Sequence, residues 1–82
     1  MSKLIGEVTH YFNKAGVAVI KLKDKISIGD KIKIKRNERE TEEDVRSMQI
    51  DYEDVDTAQK GEEVAVKIEN SAKEGDQVYK VE

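Results

Sequence analysis

The stretch Ile28-Gly29-Asp30-Lys31-Ile32-Lys33-Ile34-Lys35-Arg36 joins a turn to a strand. Gly29 can take the positive φ of a tight corner, and the Asp30 carboxylate can accept the backbone N–H groups that the corner leaves free. Beyond it, Ile32 and Ile34 alternate with Lys31, Lys33 and Lys35, the period-two pattern of a half-buried strand. The pattern of Gly, acid, any residue and a β-branched residue returns at Gly61-Glu62-Glu63-Val64 and Gly75-Asp76-Gln77-Val78. Each copy announces a strand. The copies are too short and too irregularly spaced for a solenoid, so they read as one corner used three times.

The neighbouring segments follow the same logic. Val64, Val66 and Ile68 alternate with Glu63, Ala65 and Lys67. Leu4 to Phe12 and Val17 to Leu22 are rich in β-branched and aromatic residues, and Asn13-Lys14-Ala15-Gly16 between them supplies the turn of a hairpin. A further strand is expected from Asp44 to Asp51, where the spacing of Val45, Met48 and Ile50 slips parity and predicts a bulge near Arg46 or Ser47. Asn37 to Glu43 reads as a solvated loop tip. Asp54 to Lys60 carries the one helical signal, with Asp54 as N-cap, Val55 and Ala58 on one face and Gly61 as terminator. The expected fold is all-β: a small six-stranded antiparallel barrel with one short helical turn, since an open sheet would leave exposed edges.

Composition sets the outer bounds. At 82 residues the chain is expected to be one domain, 1–82, burying roughly 60 to 65% of the surface its unfolded form exposes. Hydrophobic residues make up 37%, enough for a single core. The longest apolar run, Gly16 to Ile20, is far short of a membrane span, and Met1-Ser2-Lys3 leads into Leu4-Ile5-Gly6-Glu7 with no signal-peptide core, so a cytoplasmic location without membrane contact is expected. The absence of Cys excludes disulfides, thiolate metal sites and cysteine catalysis. The net charge of -3 hides a polarity along the chain. Residues 13–36 carry eight bases against two acids, whereas residues 37–63 carry eleven acids against three bases. Such asymmetry suits a nucleic-acid surface, or two parts that pair with each other.

The order of a first hairpin, Ile28-Gly29-Asp30-Lys31-Ile32, Val45-x-Ser47-Met48, Lys60-Gly61-Glu62 and Glu74-Gly75-Asp76-x-Val78 resembles domain two of the translational GTPases of the elongation factor Tu type. There, glycines matching Gly16, Gly29 and Gly61 and acids matching Asp30 and Glu62 precede strands. The run Ile5 to Lys14 with Gly16-Val17-Ala18-Val19 is similar to small stand-alone elongation-factor-like proteins and to the C-terminal barrel of the collagenase-like peptidase family. What this implies is a barrel with a place in translation or RNA metabolism. No phosphate-loop motif is present, so no GTP site is expected, and no cofactor is implied.

Two function classes follow. In the first, the module is non-enzymatic and binds tRNA or ribosomal RNA. Tyr11 and Lys14 at the hairpin and Lys21, Lys31, Lys33, Lys35 and Arg36 on the strands would meet bases and phosphates. The same lysines also read as a solvated row that protects a strand edge. Alternation places Val8, His10 and Phe12 on one side and Thr9 and Tyr11 on the other, so His10 and Phe12 are expected to close the barrel end and Tyr11 to be the exposed ring. In the second class the chain is a protein-interaction adaptor that docks on a catalytic subunit, a ribosomal protein or a second copy of itself. Val17 and Val19 point outward beside Tyr11 if Ala18, Ile20 and Leu22 face the core. Asp51, Glu53, Asp54 and Asp56 fail calcium-loop spacing, and no serine has an evident base, so neither a metal site nor catalysis is expected.

Overall fold

A computed structural model describes residues 2–81 and shows ten strands and no helix among them. The strands are β1 (Ser2–Phe12), β2 (Val17–Leu22), β3 (Ile26–Ser27), β4 (Lys31–Arg36), β5 (Arg39–Asp44), β6 (Met48–Ile50), β7 (Glu53–Asp54), β8 (Thr57–Ala58), β9 (Glu63–Lys67) and β10 (Gln77–Val81). Eight form one antiparallel sheet in the order β5-β4-β10-β1-β2-β9-β6-β7, and β3 pairs with β8 beside it. The sheet curls around one core in which Ile5, Val8, Ile20, Ile32, Val66 and Val78 are at most 1% exposed. Burying each such side chain contributes about 1.5 to 3 kcal/mol, which is how a chain this polar still folds.

The three Gly-acid corners are built alike. Gly29, Gly61 and Gly75 have φ of 94°, 92° and 92°. Each following acid accepts the backbone N–H three residues earlier: Ser27 N donates to Asp30 Oδ2 at 2.8 Å, Gln59 N to Glu62 Oε1 at 2.8 Å and Lys73 N to Asp76 Oδ2 at 2.9 Å. The acid's own N–H donates back to the carbonyl of that same residue at 3.1 Å in all three. The reciprocal pair closes each turn locally, and each glycine N–H ties its corner to a distant segment: Gly29 N to Val45 O at 2.8 Å, Gly61 N to Leu22 O at 3.0 Å and Gly75 N to Val8 O at 2.8 Å.

Three expectations are corrected. Asn37 to Glu43 is not a loop tip: only Asn37-Glu38 turns, with Asn37 at φ 56°, and the rest is β5, paired with β4 from Lys31↔Asp44 to Arg36↔Arg39. Glu43 lies inside, 5% exposed. Its carboxylate accepts Glu69 N, Asn70 N and Asn70 Nδ2, each at 2.8 Å, and so ties the β5 edge to the segment after β9. The strand expected from Asp44 to Asp51 is interrupted at Val45 to Ser47. Val45 there exchanges backbone bonds with the Gly29-Asp30 corner, and Ser47 O accepts Lys67 N at 3.2 Å. The helical turn expected at Asp54 to Lys60 is extended instead: Val55 N donates to Met48 O at 3.0 Å, and Thr57 and Ala58 pair with Ser27 and Ile26. So short a segment cannot offset helix nucleation, whereas the neighbouring strands offer partners at once.

Candidate functional site

β1 carries an extra residue opposite β2. Its register passes from Val8↔Ile20 to His10↔Val19, which leaves Thr9 as a bulge. A bulge of one residue reverses which side chains face outward beyond it. Tyr11, opposite the buried Ala18, therefore turns inward and packs half-buried against the core. His10 and Phe12 turn outward, reversing the expectation that they close the barrel while Tyr11 is exposed. Phe12 is 51% exposed, and the His10 ring tilts against it with centroids 4.3 Å apart. His10 Nδ1 lies 3.3 Å from Glu74 Oε1, at the rim.

Ala18, Ile20 and Leu22 are buried, so Val17 and Val19 point outward from β2. They sit beside Phe12 and His10 on β1 and Ala65 on β9, with Val19 directly opposite Ala65. Phe12, Val17, Val19 and Ala65 line a groove of about 520 Å³ whose rim includes Asp51, Tyr52 and Glu63. Tyr52 is 96% exposed. It shares with Asp51 a two-residue connection between Ile50 and Glu53 in which both residues are left-handed, at φ 51° for Asp51 and 68° for Tyr52. The sequence reading missed Phe12, Tyr52 and Ala65. The bulge hid the first, and Asp-Tyr lacks the Asn-Gly chemistry that announces such a turn.

The basic residues do not converge on a phosphate track. β10 and β1 lie between β4 and β2, so Lys21 is not beside Lys31, Lys33 and Lys35. Acids face the row across the β4–β5 ladder: Lys31 opposite Asp44, Lys33 opposite Glu42 and Lys35 opposite Glu40, with Lys33 Nζ 3.6 Å from Glu40 Oε1. Lys21 Nζ donates to Gly61 O at 2.8 Å, and Arg36 Nε lies 3.7 Å from Asp76 Oδ1. Lys14 is exposed at the β1–β2 turn. Across the β4–β5 ladder the basic and acidic segments thus face each other.

Among the described residues, no group of three His, Asp or Glu side chains is placed to hold a metal, and no helix is long and apolar enough to cross a membrane. Asp24 titrates below its ordinary value of 3.8, first because of the Lys3 ammonium 2.5 Å away and then because Lys25 N donates to it at 2.8 Å.

No family model matches the sequence. Over 76 residues, 92% of this chain, it is 45% identical to a Methanocaldococcus jannaschii protein described as an uncharacterized protease, and the match spans 19% of that protein's length. Crystal structures of the C-terminal domain of a Geobacillus thermoleovorans protein described as a U32 peptidase superpose closely. One gives a TM-score of 0.90 over 98% of this chain and 93% of that one, at 16% identity. Its selenomethionine variant gives 0.87 over 93% and 96%, at 15% identity. At such identities the likeness is one of fold. The fold agrees with the one expected from the peptidase side of the sequence resemblance, whereas the likeness to domain two of the translational GTPases rests on sequence motifs alone.

Proposed function

We propose that residues 1–82 form a non-catalytic docking module that binds the catalytic part of a larger, protease-type polypeptide in the cytoplasm. The observation that carries this reading is the apolar strip of Phe12, Val17, Val19 and Ala65 on the outside of the sheet. It is separate from the core: the β1 bulge holds Phe12 outward, and the alternation of β2 does the same for Val17 and Val19. Exposed apolar patches ringed by polar residues mark interaction sites. The Methanocaldococcus jannaschii relative supports the choice of partner, since a stretch akin to this chain makes up a fifth of it and the remainder is a ready candidate for the surface this stretch covers. An RNA-binding role loses its ground where Lys31, Lys33 and Lys35 face acids.

The test uses the Methanocaldococcus jannaschii protein lacking the segment that matches this chain. Immobilised 1–82 is expected to capture it, and Phe12→Asp or Val19→Lys is expected to abolish capture with the circular dichroism spectrum unchanged. Capture that survives both substitutions would rule out this face as the docking surface.

A further inference from the structure

The groove that the docking reading uses is not uniformly apolar. Its floor is Val17, Val19 and Ala65, one wall is the half-exposed Phe12 ring, and the rim carries Asp51, Tyr52 and Glu63. Two carboxylates and no base line it. Thr9 Oγ1 donates to Glu63 Oε2 at 3.2 Å, a proton it shares with Val19 O at 3.3 Å, and this sets the carboxylate beside the β2–β9 face.

Tyr52 is the second observation. An L-residue in the left-handed region is strained, and glycine or asparagine normally fills such positions. A tyrosine there must be repaid by packing or by function, and at 96% exposure its ring is not packed within the chain. The turn therefore holds an aromatic face in solvent at the rim of an acidic, apolar-floored groove. Aromatic faces, carboxylates and an aliphatic floor together match one side chain. The arginine guanidinium stacks on aromatic rings and takes carboxylates by its fork of N–H donors, and its methylene stem lies along apolar surface.

We infer that this groove takes an arginine side chain of the docked polypeptide, with the stem over Val17 and Val19, the guanidinium against Tyr52 and Phe12, and its charge met by Asp51 and Glu63. The inference rests on the docking reading of this face and names the chemistry of its partner. It predicts a segment in which arginine is flanked by apolar residues.

The experiment titrates isotopically labelled 1–82 at low salt with acetyl-Leu-Val-Arg-Val-Leu-amide and with the same peptide carrying citrulline, which keeps the shape and removes the charge. The arginine peptide is expected to give saturable amide shifts at Phe12, Val17, Val19, Tyr52 and Ala65, and citrulline to weaken binding about tenfold or more. Tyr52→Ala and Glu63→Gln should each weaken the arginine peptide several-fold. Tyr52→Gly should weaken it equally while raising the unfolding midpoint, a pairing that a merely structural role would not produce. Equal affinity for both peptides, or shifts centred on β4 instead, would overturn the arginine site. If the arginine peptide fails while Phe12→Asp still abolishes capture of the truncated relative, the docking reading stands and the arginine inference falls. If the peptide binds but the relative is not captured, the arginine site stands and the proposed partner falls.

Discussion

Replacing Glu43 tests the account of how the sheet is held at its β5 edge. The side chain is 5% exposed, and its two oxygens accept three hydrogen bonds at 2.8 Å, two from the backbone amides of Glu69 and Asn70 and one from the Asn70 side chain. Glu43→Ala removes all three acceptors and leaves a gap beside the core. A hydrogen bond to a charged acceptor contributes about 1.5 to 3 kcal/mol, and water reaching the exposed Glu69 and Asn70 replaces part of it, so the net loss should be about 3 to 4 kcal/mol. A chain of this size has a total stability of about 4 to 12 kcal/mol, and each kcal/mol moves the midpoint by about 4 to 8 °C. The melting temperature should thus fall by about 12 to 30 °C. Glu43→Gln keeps one acceptor and turns an amide toward a donor, so it should fall between the two. Urea unfolding followed by circular dichroism gives the free energies, and amide exchange at residues 69 and 70 gives the local effect. A Glu43→Ala protein within about 0.5 kcal/mol of the parent, with unchanged protection at Asn70, would refute the role assigned to this carboxylate.

Gly6 packs tightly against β2, and a Cβ there would sit 2.7 Å from both Ile20 Cγ2 and the Lys21 carbonyl oxygen, so Gly6→Ala should cost about 1 to 3 kcal/mol in urea unfolding. Asp24 titrates low when folded, so its contribution to stability is present above its ordinary value and lost as the pH falls below 3.8 toward the folded midpoint; carboxyl NMR should show that midpoint rising in Lys3→Gln. Titration of labelled protein with total tRNA should leave the amides of residues 31–36 unmoved at moderate salt, because acids face Lys31, Lys33 and Lys35, and localised shifts there would restore the RNA reading.

Local chemistry was legible in the sequence wherever it acts locally. The Gly-acid corners depend on residues three apart, and the alternation of Ile32 with Ile34 and of Val64 with Val66 survives into β4 and β9. The outward aim of Val17 and Val19 followed from the parity of β2. What was not legible depends on partners far along the chain. β5 reads Arg-Glu-Thr-Glu-Glu-Asp and has no apolar residue to mark it as a strand, because its one fully inward side chain is a carboxylate satisfied by residues 69 and 70. The bulge at Thr9 exchanges the roles of Tyr11 and Phe12, and only the register against β2 reveals it. Asp54 to Lys60 looked helical because capping signals are short-range, while the bonds that extend it come from β6 and β3.

The place of β10 between β1 and β4 sets the order in which the molecule can be completed. The strand that joins the first hairpin to the β4–β5 hairpin is the last of the ten described strands to be made, so during synthesis one side of β1 and one side of β4 wait without that partner. Unpaired edges recruit strands from other chains. Charged side chains on an open strand discourage edge-to-edge pairing, and Lys31, Lys33 and Lys35 stand on the waiting β4. Until Gln77 to Val81 pair with β1 on one side and β4 on the other, both hairpins keep an open edge, and β10 closes the two at once.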